Sequence, residues 1–172
     1  FIKNEYLQRF FTAMGGQFKS EGNYEKALEF YDLSLNLART LFGERHVSTG
    51  IAYSDVGSVY SELGNYDQAL RHYTTSLETR IELFGEDNPQ TAAGFTNVGA
   101  MSSKKGELDT ALEFYSKALS IRIKSKGKFH LETALSYTNV GSIYSKKMEL
   151  KQAMEYYSKS LEIKESILGE LH

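Results

Sequence analysis

The 172-residue chain has no cysteine, no tryptophan and a single proline, Pro89. Without cysteine there is no disulfide framework and no thiolate to hold a metal or act as a nucleophile. A reducing, intracellular and cytoplasmic setting is therefore the expectation. One proline suits long helices and disfavours a loop-rich fold. No apolar run approaches the ~20 residues that a membrane span needs, and the opening Phe1-Ile2-Lys3-Asn4-Glu5 has no signal-peptide order, so no membrane role is expected. Charge of one sign is missing too: 20 Lys and Arg stand against 22 Asp and Glu. That balance, with no continuous basic stripe, speaks against a nucleic-acid partner. There is no glycine-flanked nucleophile elbow, phosphate loop or His-Glu-x-x-His helix, so neither an enzyme active site nor a cofactor is expected.

What the sequence has is periodicity. The stretch Val56-Gly-Ser-Val-Tyr-Ser-Glu-Leu-Gly-Asn-Tyr-Asp-Gln-Ala-Leu70 occurs in four variants, and Ala27, Ala69, Ala111 and Ala153 fall 42 residues apart each time. A fixed period of this size signals stacked supersecondary units that bury apolar faces against neighbours. The halves differ in charge. Residues 1–86 carry 8 Lys and Arg against 12 Asp and Glu, and residues 87–172 carry 12 against 10.

Apolar residues at Ile2, Tyr6, Leu7, Phe10, Phe11, Met14 and Phe18 follow a three-and-four spacing, which predicts an amphipathic helix. Glu21-Gly22-Asn23 supplies a turn, and a second helix runs from near Tyr24 to Phe42, where Gly43 is expected as a left-handed C-cap. The same plan recurs from His46 to Gly85, from Asn88-Pro89 to Gly127, and from Leu131 through a turn at Met148-Glu149 to Gly169. The prediction is eight helices in four hairpins, at about residues 2–43, 46–85, 88–127 and 130–169, in one array over 1–172. Eleven of the 14 glycines keep register. One group, Gly15, Gly57, Gly99 and Gly141, lies inside helices, where each costs roughly 1 kcal/mol against Ala. Paying that four times implies a close approach of the facing helix.

These residues resemble the tetratricopeptide repeat. Tyr53, Val56, Gly57, Tyr60, Gly64, Tyr66, Ala69 and Tyr73 fill its signature, and Phe11, Gly15, Phe18, Gly22, Ala27 and Tyr31 do so in the first unit. The third and fourth units match at Phe95, Gly99, Ala111 and Tyr115, and at Tyr137, Gly141, Ala153 and Tyr157, with Ser102 replacing an aromatic and Met148 a glycine. The usual repeat has roughly 34 residues, and the extra length is about two helical turns. That longer form is similar to the kinesin light chain repeats, whose boundary segment Phe84-Gly85-Glu86-Asp87-Asn88-Pro89 resembles. The resemblance implies an all-α, right-handed superhelical α-solenoid.

His46, His130 and His172 share one repeat position, with Asn88 at the fourth. Successive repeats stack about 10 Å apart, too far for one ion with ligands near 2 Å, so helix-boundary roles are expected and no metal. His72 reads as a packing residue. The family lines a concave groove with the first helix of each repeat, which implies groove positions here at Arg9, Thr12, Ala13 and Gly16; Ile51, Ser54, Asp55, Ser58 and Glu62; Ala93, Thr96, Asn97, Ala100 and Lys104; and Leu135, Thr138, Asn139, Ser142 and Lys146. Asn97 and Asn139 are the leading candidates, since an amide both donates to and accepts from a peptide unit. Lys104, Lys105, Lys146 and Lys147 offer attraction to acidic residues, with Arg122 and Lys124 as helpers, while Asp55 and Glu62 repel acid from the earlier repeats.

The expected function is a non-catalytic protein-interaction module, of scaffold or cargo-adaptor type, that holds an extended peptide segment of a partner protein, and the likeness to kinesin light chain implies acidic residues around an apolar anchor in that segment. A structural segment that self-associates or stacks through uncapped repeat ends is the alternative. Another is a regulatory region of an enzyme whose catalytic domain lies elsewhere. The chain opens and closes in mid-pattern, so it is expected to be a segment of a longer protein.

Overall fold

The computed structural model describes residues 2–169. Among the described residues there are eight α-helices and no strand: α1 (Ile2–Ser20), α2 (Tyr24–Phe42), α3 (Val47–Glu62), α4 (Tyr66–Phe84), α5 (Pro89–Lys105), α6 (Leu108–Lys126), α7 (Leu131–Lys146) and α8 (Leu150–Gly169). They pair as four antiparallel hairpins, as the periodicity predicts. The chain divides into two compact units, Phe1–Glu86 and Asp87–His172. In the first, α2 also packs on α3, and in the second α6 packs on α7. Each unit is thus two hairpins with a shared core.

The repeating residues build that core. In the first unit Ala27, Tyr31, Leu35 and Ala38 of α2 meet Ala52, Val56 and Val59 of α3. In the second, Ala111, Tyr115 and Leu119 of α6 meet Ala134, Tyr137, Val140 and Ile143 of α7, joined by Ile163 of α8. The helical glycines are sites of close approach. A Cβ on Gly15 would lie 2.6 Å from the Tyr31 ring, and one on Gly99 3.0 Å from that of Tyr115. Ring stacks brace each hairpin: Phe18 on Phe30 at 5.4 Å, Tyr60 on His72 at 5.5 Å and Tyr144 on Tyr156 at 5.3 Å. His72 is the packing residue expected. In the third repeat Ser102 replaces that first ring; it is buried, its hydroxyl lacks a hydrogen bond among the described residues, and Phe114 stacks on Phe95.

The intra-hairpin turns share one hydrogen-bond plan. Gly64 N–H donates to the Ser61 carbonyl at 3.2 Å and Asn65 N–H to that of Tyr60 at 2.9 Å, the paired bonds of a Schellman motif. The fourth repeat makes the same pair from Met148 to Ser145 at 3.0 Å and from Glu149 to Tyr144 at 2.9 Å. Its Met148 accordingly holds φ at +61° where glycine stands in the others. The inter-repeat glycines depart from expectation. Gly43 has φ 85° and ψ 174°, an extended conformation with positive φ rather than the left-handed helical one, because the chain must leave the helix and straighten toward the next repeat.

The boundary histidines are N-caps. Nδ1 of His46 accepts from Ser48 N–H, and Nδ1 of His130 from Glu132 N–H, each at 3.1 Å. Asn88 does the same for Gln90 N–H at 2.9 Å. His172 lies outside the described residues. No helix among the described residues is long and apolar enough to cross a membrane.

Candidate peptide-binding groove

The first helices of each unit stand side by side and a lysine ties them together. In the first unit Lys19 Nζ of α1 donates to Ser58 Oγ of α3 at 2.8 Å. In the second, Lys146 Nζ of α7 donates to Ser103 Oγ of α5 at 2.7 Å. Each first helix turns its small and branched residues into the core and leaves a stripe at spacing i, i+4, i+7, i+11 on the opposite side. On α3 the stripe is Ile51, Asp55, Ser58 and Glu62; on α7 it is Leu135, Asn139, Ser142 and Lys146. Ile51 and Leu135 are exposed large apolar residues. Two depressions open along α1 and α3. One, of about 300 Å³, is lined by Gln8, Arg9, Thr12, Ala13, Ser48 and Ile51. The other, of about 440 Å³, is lined by Gly16, Lys19, Ser20, Tyr24, Tyr31 and Glu62.

Asp55 is the electrostatic centre of the first unit. It is half-buried, and loss of water pushes its carboxyl up to about 6 against the pull of Lys19 and Arg80. Its charge reaches the core rings in turn. Tyr73 is pushed up to about 12, first by burial and then by Glu62 and Asp55, and Tyr31 is raised by burial and by Asp55. Arg80 is lowered by burial, with Asp55 opposing.

The second unit carries a different set. Asn97 and Asn139 stand half-buried at the register of Asp55. Asn97 is engaged in the fold, whereas the Asn139 amide makes no hydrogen bond among the described residues. Ser142 Oγ donates to the Asn139 carbonyl at 2.7 Å, as Ser58 does to Asp55. The threonines turn inward. Thr138 Oγ1 lies 2.8 Å from Ser160 Oγ of α8, and Thr96 Oγ1 donates to the Ala92 carbonyl of its own helix at 2.9 Å. Lys104 and Lys146 are exposed.

Several of the other expected cations are used within the fold. Arg122 reaches Ser136 Oγ at 2.6 Å and lies 3.6 Å from Glu132, with burial lowering its pKa. It joins α6 to α7 and is not a groove group. Lys105 pairs with Glu107 at 2.9 Å, Lys147 with Asp109 at 2.7 Å, and Lys124 with Asp87 at 3.4 Å. Threonines at the helix starts, not expected from the sequence, also serve the fold. Thr49 and Thr133 are fully buried and donate to the carbonyls of Gly43 and Gly127 at 2.7 and 2.9 Å. Their recurrence with Thr91 at the 42-residue period was the available signal.

The profile described as Tetratricopeptide repeat matches residues 11–82, 51–101 and 90–166. No curated protein matches the chain in sequence. Solved structures do match in fold. BtubC (BKLC) from P. vanneervenii superposes with a TM-score of 0.88 at 21% identity, over 96% of this chain and 66% of that one. A putative kinesin light chain from Podosopora anserina with nearly identical TPR-like repeats superposes at 0.79 and 13% identity, over 93% and 76%. The apo form of RapI gives 0.83 at 20%, over 94% and 57%. The chain thus spans just under two thirds of BtubC.

Proposed function

Since the chain belongs to the tetratricopeptide repeat family, in its long kinesin-light-chain-like form, we propose that it holds an extended peptide segment of a partner protein along the stripes of its first helices. Repeats of this family are generally protein-interaction modules and generally non-catalytic. The observation that carries the finer reading is the contrast between the two sides of each first helix. Core-facing Thr49 and Val56 recur as Thr91 and Val98 and as Thr133 and Val140, while the opposite stripe, half-buried to exposed, varies from Asp55 and Glu62 to Asn97 and Lys104 and then to Asn139 and Lys146.

In the second unit, the Asn97 and Asn139 amides pair with the peptide backbone, Leu135 receives an apolar side chain, and Lys104 and Lys146 favour acidic residues beside it. Thr96, Thr138 and Ser142 hold the stripe's backbone and neighbours in place. In the first unit Asp55 and Glu62 repel acid. Selection from an unbiased displayed-peptide library tests the reading. Enriched sequences should combine acidic residues with an apolar one, and their affinity should fall as salt rises. Enrichment of basic sequences, or affinity indifferent to salt, would overturn it.

A further inference from the structure

The larger of the two depressions along α1 and α3, of about 440 Å³, has the chemistry of a side-chain site, and α1, α2 and α3 of the first unit supply all its walls. Tyr31 of α2 is 6% exposed, and its hydroxyl makes no hydrogen bond among the described residues. A buried hydroxyl without a partner forgoes what water would give it. The facing residue of α1 is Gly16, where a Cβ would stand 3.5 Å from Tyr31 Oη, so the missing side chain leaves that oxygen open to the depression. Burial and the Asp55 charge raise the Tyr31 pKa, which keeps the hydroxyl neutral and able to accept as well as donate.

Around this oxygen stand a ring and an acid. Tyr24 is half-buried, and Glu62 is exposed, its carboxylate making no hydrogen bond or ion pair among the described residues. Lys19 also lines the depression, but its charge is committed: Nζ donates to Ser58 Oγ at 2.8 Å and pulls on the Asp55 carboxyl. The unmatched charge is that of Glu62. Two periods on, the second unit puts Ala100, Ser103, Leu108, Tyr115 and Lys146 at the same register. Leu108 has no π face, and Lys146 sets an ammonium where Glu62 has a carboxylate, donating to Ser103 Oγ at 2.7 Å. The buried tyrosine is thus common to both units, whereas the aromatic wall and the free acid belong to the first.

We infer that this depression receives an arginine side chain of the partner segment, with the guanidinium stacked on Tyr24, donating to Tyr31 Oη and paired with Glu62. A planar cation with several N–H donors reaches a ring face and two acceptors at once, and it is more weakly hydrated than an ammonium. An acidic side chain would meet Glu62, and an apolar one would leave Tyr31 Oη without a partner. The inference rests on the groove reading for the extended segment that carries the side chain, and it adds a basic position to the acidic and apolar ones of the second unit.

The test uses the full chain with 13C-labelled tyrosine rings, Tyr24 being assigned by the resonance lost in Tyr24→Phe. The probes are two capped pentapeptides of glycine, one with arginine and one with glutamate at the centre. Millimolar arginine peptide should shift the Tyr24 resonance to saturation, and the glutamate peptide should leave it in place. Glu62→Gln and Tyr31→Phe should each weaken the arginine peptide about fivefold or more. Glu62→Lys, which copies Lys146, should hand the preference to glutamate, and because Glu62 is exposed neither change at this position threatens the fold. A Tyr24 resonance that ignores the arginine peptide, or follows both peptides alike, would overturn the site. Undiminished affinity in Glu62→Gln would overturn the ion pair that defines it. The probes carry neither the acid nor the apolar residue that the second unit takes, so failure here leaves the roles of Asn97 and Asn139 standing, and failure there leaves the Tyr24 shift intact.

Discussion

The two units share one plan of two helical hairpins and differ in what is hung on it. Phe1–Glu86 places a half-buried carboxylate, Asp55, at the stripe position where Asp87–His172 places the amides Asn97 and Asn139. They also differ in how the turns are secured. Asn23 and Asn65 cap α2 and α4 by accepting from Lys26 and Gln68 N–H at 3.2 and 3.3 Å. Glu107, at the same place in the second unit, makes no such side-chain bond, and Met148 takes the positive φ that Gly22, Gly64 and Gly106 take elsewhere. One fold therefore tolerates variation of two kinds. Turn residues vary at a cost in stability, and stripe residues vary in charge.

The largest effect probes what the units share. Leucine at Gly15 or Gly99 must displace a buried tyrosine ring, so each change should lower stability by about 1–3 kcal/mol. Gly15→Leu should cost more, because its Cβ contact is the shorter, 2.6 Å against 3.0 Å. Chemical denaturation of the two variants checks the order: equal midpoints would overturn the ranking by contact distance, and midpoints equal to the parent's would overturn the pinch itself.

Next comes Asp55, where the units part. An aspartate in the unfolded chain titrates near ~3.9, and Asp55 in the fold at about 6. The folded state keeps the proton longer, so this group's stability contribution falls as pH rises from about 4 to about 6, stays low above, and vanishes as a difference below, where both states are protonated. The gap is worth roughly 3 kcal/mol in full, and water on the groove side reduces it to about 1–2 kcal/mol. Asp55→Asn should raise stability by that amount at pH 7 and by nothing near pH 4. Melting curves across this range decide it, and a gain independent of pH would assign the effect to something other than ionisation.

The turn contrasts are smaller. Met148→Gly should stabilise by about 1 kcal/mol, since the left-handed conformation is costly for a residue with a Cβ. In Gly106 the reverse change to Met should cost a similar amount. Smallest of all, Glu107→Asn should add about 0.5 kcal/mol by supplying the cap bond that Asn65 makes, and Asn65→Ala should remove about 1 kcal/mol. If Glu107→Asn lowers the melting temperature, its ion pair with Lys105 outweighs the missing cap.

The fold was legible because period, glycine register and turn residues all pointed to one hairpin repeated four times, and each of those signals is local. The stripe was legible only as register. Which members face outward is fixed by tertiary partners: Thr138 has the spacing of a groove residue, yet its hydroxyl turns to Ser160 in α8, 22 positions away. Arg122 and Lys147 likewise looked like available cations. Their partners Ser136, Glu132 and Asp109 sit on neighbouring helices, and a charge count along the chain does not contain those pairings. The stereochemistry of Gly43 was missed for a related reason. A glycine after a helix announces positive φ, but ψ depends on where the next helix must begin.

The central claim is that Asn97 and Asn139 grip a partner's backbone along the second unit. Isothermal titration of a library-selected peptide against the parent and the Asn97→Ala/Asn139→Ala variant tests it most directly. A loss of about tenfold or more, in a double variant that still folds, is the predicted result. An affinity equal to the parent's in a folded double variant would contradict it.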